Sequence, residues 1–84
     1  MKISNCIWMS VNGFQRNGPA EGDIVVCTAP IDGKVSTVTF NAIVMADGDV
    51  MYIIVNGKRY KVISDGVYGV CGKIKLEEMT DGDD

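Results

Sequence analysis

Histidine does not occur in this sequence. Its absence removes the commonest general base at neutral pH, the commonest zinc ligand, and the Cys-His and Ser-His pairs of nucleophilic catalysis. Any catalysis would have to be built from Asp, Glu, Cys, Lys or Tyr, and no spacing marks such a set, so no enzyme is expected. Cysteine is scarce as well. Cys6, Cys27 and Cys71 are odd in number, far apart and without a CxxC pair, which excludes a self-contained disulfide framework and a zinc site. They read as small apolar side chains in a reducing, cytoplasmic compartment. Apolar runs are short, and none approaches the ~20 residues that cross a bilayer. The first twelve residues are interrupted by Ser and Asn, so no secretory leader is expected.

Phosphate-binding loops are missing too, since neither GxGxxG nor GxxxxGK[ST] appears among the ten glycines. Asp47-Gly48-Asp49 and Asp81-Gly82-Asp83-Asp84 look like fragments of a calcium loop but lack the rest of its ligand set and its closing Glu. They are read as turns. No cofactor and no metal is expected.

The net charge of −3 is unevenly spread. Glu77, Glu78, Asp81, Asp83 and Asp84 crowd the end of the chain, leaving six acids against eight bases over residues 1–76. The acidity therefore belongs largely to the tail and does not describe an acidic surface.

What the sequence does have is turn chemistry. Asn12-Gly13, Asn17-Gly18-Pro19, Asp32-Gly33, Asp47-Gly48, Asn56-Gly57 and Asp65-Gly66 supply the positive φ angles of tight turns. Between them, residues 2–11, 23–30, 35–46, 50–55, 58–63 and 67–77 read as strands, most of them rich in Val, Ile, Thr, Tyr and Phe. No segment has the length and period of a substantial helix. Val50–Val55, Asn56-Gly57 and Lys58–Ile63 form the clearest hairpin, with a type I′ connection. Gly69 and Gly72 fall inside the last strand, where a bend or bulge accounts for them.

Several strands are apolar on both faces: Ile24-Val25-Val26-Cys27, Ile43-Val44-Met45-Ala46 and Val50 to Val55. A single-layer sheet would leave one of those faces in water, so the second face needs a cover. The expected fold is all-β: a small antiparallel barrel of five or six strands, or a strongly bent sheet. Residues 1–78 form the domain and 79–84 an acidic tail. The opening Glu21-Gly22-Asp23-Ile24-Val25-Val26, followed by a long strand pair and a returning last strand, resembles small SH3-like barrels in broad architecture.

Two sets of residues are candidates for function. Arg59, Lys61, Lys73 and Lys75 are expected to line one outward stripe that could bind an anion or phosphate, with Arg16 in a neighbouring loop. Strict alternation of the first strand from Ile3 would turn Ile7, Met9 and Val11 inward and Trp8 outward. Trp8, Phe14, Met45, Met51 and Ile53 are then interface candidates, the alternative for Trp8 being a place in the core of a barrel that wraps around it.

The reading that follows is a non-catalytic binding protein that self-associates through an apolar sheet face. Two alternatives belong to other classes. One is an inhibitor encoded by a virus or mobile element, blocking a host protein or sequestering an anionic small molecule. The other is a nucleic-acid-binding small barrel. No membrane partner is expected.

Overall fold

The computed structural model describes residues 3–30, 36–64 and 68–79. It has eight strands: β1 (Ser4–Met9), β2 (Ile24–Pro30), β3 (Thr37–Ile43), β4 (Met45–Asp47), β5 (Val50–Val55), β6 (Lys58–Ile63), β7 (Cys71–Lys73) and β8 (Lys75–Glu78). They make two antiparallel sheets of order β3-β2-β1-β7 and β4-β5-β6-β8. Among the described residues there is no helix, and hence none long and apolar enough to cross a membrane.

Two of the six expected strands are each split by one residue, and those residues make the fold. Val44 separates β3 from β4, and Ile74 separates β7 from β8. Both are buried. The Val44 amide donates to the Asp23 carbonyl at 2.8 Å, and its carbonyl accepts from the Gly22 amide at 2.9 Å. The Ile74 amide donates to the Cys6 carbonyl at 3.1 Å. At each point one continuous chain leaves the first sheet and enters the second, as strands do at the corners of packed sheets. Among the described residues the result is two sheets joined at two bent strands, not a closed barrel.

Cys6, Trp8, Val25, Cys27, Val44, Ile53, Val55, Val62 and Ile74 form the core between the sheets. Trp8 and Ile53, expected on an outer face, are both fully buried, whereas Ile7, Met9 and Val11 are exposed. The cause is a bulge. Ser4 pairs with Thr28 but Ile7 pairs with Val26, so β1 holds one residue more than β2 across that interval. Asn5 absorbs it with φ at 52°, a left-handed conformation that Asn tolerates better than most residues. Ile3 packs on the core as its parity requires. After the bulge the parity inverts, and Cys6 and Trp8 turn inward. Across the sheet Trp8 sits opposite Gly72, and residues directly opposite share a face. Gly72 therefore adds no side chain beside the indole.

The turns follow their residues. At Asn56-Gly57 both φ angles are positive, 52° and 78°, as a type I′ hairpin requires. The β4–β5 turn differs by one residue from the Asp47-Gly48 pair expected. Asp47 pairs with Val50, so Gly48 and Asp49 form the loop, with positive φ at Gly48. Gly69, with φ at 137°, lies before β7 and forms an isolated bridge with Arg16. The expected turns at Asp32-Gly33 and Asp65-Gly66, and the tail beyond Met79, lie outside the described residues.

Candidate interaction surface

The strand pairings place the outward side chains of the first sheet in rows. Cys71, Met9, Ile24 and Ile43 are successive partners across β7, β1, β2 and β3, and Lys73, Ile7, Val26 and Asn41 form the next row. Ile43 is 66% exposed, Met9 47% and Ile7 41%, while Ile24 and Val26 are half-buried between their neighbours. Six of these eight side chains are apolar and only Lys73 is charged. This is the surplus face that two-sided strands imply, but its residues differ from those expected. Of the expected set, Met45 and Phe14 are exposed, Met51 packs against the core, and Trp8 and Ile53 lie within it.

The network around Asp23 fixes the end of this sheet. Asp23 begins the run into β2, and among the described residues it is the one charged side chain that is buried. Its carboxylate accepts from Trp8 Nε1 at 2.8 Å, from the Ala20 amide at 3.0 Å and from the Val11 amide at 3.2 Å. Arg16 Nε lies 3.3 Å from Oδ2, an ion pair without hydrogen-bond alignment. Burial alone would raise the Asp23 pKa. The three donated hydrogen bonds and the Arg16 charge outweigh it and hold the carboxyl below the ordinary value. Asp23 thus ties β1, β2 and the 10–20 loop together. Its sequence signal was the Gly-Asp step before an apolar strand, but nothing in one dimension pairs it with Trp8. Arg16, an anion-site candidate, faces this carboxylate.

The 14–16 loop is joined to the segment before β7. Arg16 and Gly69 exchange two backbone hydrogen bonds of 3.0 Å, and Tyr68 Oη donates to Gln15 Oε1 at 3.4 Å. Two exposed aromatics, Phe14 at 63% and Tyr68 at 64%, stand on these joined loops. Tyr68 was missed because its partner lies fifty-three positions away.

The four basic candidates are divided. Arg59 and Lys61 lie on the outward side of β6 with Lys75 on β8, but Glu77 is the direct partner of Lys61. Arg59 stacks 5.6 Å from the Tyr52 ring centroid. Lys58, beside them, pairs with Glu78 at 3.7 Å. Lys73 belongs to the other sheet, opposite Ile7. Acidic residues therefore interrupt the stripe, and the corner at Ile74 splits it. Among the described residues no three acidic or thiol groups converge as a metal would require.

Cys6 and Cys27 are buried free thiols hydrogen-bonded to each other. Burial raises Cys6 against an opposing hydrogen bond from Cys27, and burial together with the neighbouring Cys6 pushes Cys27 up to about 12. Cys71 is free and exposed. No family model, curated protein or solved structure matches this chain.

Proposed function

We propose that this chain is a non-catalytic interaction protein that self-associates through the outer face of its first sheet. The observation that carries this is the pair of apolar rows through Met9 and Ile7, open to solvent across four strands. A face whose one charge, Lys73, stands at its β7 end selects a mainly apolar partner, and an identical copy supplies one of the same shape by two-fold symmetry. Strands ~4.8 Å apart, rising ~3.4 Å per residue, give this face a projected area on the order of 400 Å². Stable interfaces bury about 800 Å² per partner, so face packing alone supports a reversible dimer. The odd number and wide spacing of Cys6, Cys27 and Cys71 favour a reducing, cytoplasmic setting. The finer architecture reads as a partly open, SH3-like small barrel, a view supported by the strands that run through Val44 and Ile74 from one sheet to the other.

Light scattering on the Ile7→Lys/Met9→Lys variant tests the reading. Both positions are outward, so the fold should persist while the mass of the assembly falls. An unchanged oligomer would overturn the assignment of this face.

A further inference from the structure

Among the described residues, four strands stand at the outer ends of the two sheets, and three carry the usual guards against edge pairing. β4 and β7 are three residues long and carry Asp47 and Lys73, and β8 carries Lys75, Glu77 and Glu78. β3 is different. It is seven residues long, Thr37-Val38-Thr39-Phe40-Asn41-Ala42-Ile43, with no charge and no proline. Such an edge presents unpaired amides and carbonyls to any strand that can match it.

The side chains at this edge are also incompletely covered. Val38, Phe40 and Ala42 pair with the buried Ala29, Cys27 and Val25 and so face inward. Yet Val38 remains 47% exposed and Phe40 is only half-buried. The second sheet covers them only in part: Phe40 and Ala42 pack against the core, while β4 pairs with β5 only at Val50 to Tyr52. Beyond that point a cleft of about 370 Å³ opens between Val38 and Phe40 on one side and Ile54, Val55 and Asn56 on the other.

We propose that the β3 edge pairs antiparallel with the β3 edge of a second copy of this chain, extending the first sheet across a two-fold axis. Directly opposite residues must share a face, and full overlap of seven residues then places Phe40 on the axis. The register sets Phe40 against Phe40, Val38 against Ala42 and Thr39 against Asn41, with Thr37 against Ile43 at the ends. Apolar meets apolar on the inner face, the central outer pairs are polar, and no like charges meet. The strand is self-complementary in the way an isologous contact requires. The second copy's Phe40 adds an aromatic contact beside the cleft, which no residue of the same sheet provides. Extended-peptide recognition uses the same edge and pocket combination, but the self-matching register selects the identical chain. This goes beyond the face contact proposed above; the two together would generate a tetramer with perpendicular two-fold axes.

Thr39 and Asn41 are exposed on the outer face and partner only uncharged residues of β2, so charges there leave the single chain intact. In Thr39→Lys/Asn41→Lys, lysines oppose each other twice across the axis. In Thr39→Lys/Asn41→Glu, each lysine meets a glutamate. Because Asn41 also stands in the outer-face row, both pairs are made in the Ile7→Lys/Met9→Lys background, where fluorescence-detected sedimentation should place their edge-dimer dissociation constants about tenfold or more apart, the double lysine weaker than that background and the charge pair at least equal to it. Equal affinities for the two variants would overturn the β3 register. If they are equal while Ile7→Lys/Met9→Lys still dissociates the wild-type assembly, the face contact stands and the edge contact falls. If the charge variants differ but the face variant keeps wild-type mass, the edge stands and the face falls.

Discussion

Asp23→Asn is the sharpest perturbation of the network that holds the apolar sheet in place. Asparagine keeps the shape but supplies one oxygen where the carboxylate supplies two. Its best orientation leaves that oxygen for Trp8 Nε1 and the Ala20 amide, and turns an NH₂ toward the Val11 amide, donor against donor. Hydrogen bonds to a charged group contribute about 1.5–3 kcal/mol each, and a buried donor left unpaired costs about 1–3 kcal/mol. Losing one such bond and weakening two should cost about 2–4 kcal/mol. A chain this size has on the order of 4–13 kcal/mol in total. Trp8, the single tryptophan, reports the transition directly, so urea unfolding followed by its fluorescence measures the loss. The companion Trp8→Phe should cost less when Asp23 is already Asn, a coupling visible in a double-mutant cycle. The sign with pH follows from the depressed carboxyl. Its contribution is full above the ordinary aspartate value near 4 and is lost as pH falls through the lower folded value. Asp23→Asn should flatten that acid limb. A variant within about 0.5 kcal/mol of wild type, with an unchanged acid limb, would show that the carboxylate does not hold these elements together.

Thiol labelling at pH 8 should modify Cys71 rapidly, while Cys6 and Cys27, buried and with raised pKa values, react only after unfolding; three equal rates would contradict the core assignment. Asn5→Gly should be neutral or stabilising and Asn5→Val destabilising by about 1–2 kcal/mol, because φ at 52° strains a β-branched residue. Equal stabilities in thermal denaturation would argue against the bulge. Gly18→Ala places a methyl 2.7 Å from Ser64 Oγ at a φ of 90° and should lower stability by about 1–3 kcal/mol; Ser64→Gly in that background should restore only part of the loss.

The hairpins were the most legible part of the sequence, because local turn chemistry determines them. Asn56-Gly57 fixes both dihedrals and the register of β5 against β6 within a few residues. The bent strands were half legible. A long run through Ile43-Val44-Met45 signals a two-sided environment, but the inward turn of Val44 alone depends on hydrogen bonds to Gly22 and Asp23, about twenty positions away. The first strand departs from strict alternation for a specific reason. A period of two propagates any insertion, so one left-handed Asn5 exchanges the inward and outward sets from Cys6 onward. The expectation of an uncovered apolar face survives that exchange, since it rests on how many apolar residues the strands carry. Which residues form the face does not. The basic stripe failed to assemble for a related reason: the last strand divides at Ile74 between β1 and β6, and the acids at 77 and 78 meet bases that looked unopposed in one dimension.

Sedimentation velocity of the wild-type protein from low to high micromolar concentration tests self-association most directly. Self-association should raise the weight-average mass with concentration from the 9.1 kDa of one chain to at least twice that value. A single 9.1 kDa species throughout that range would contradict it.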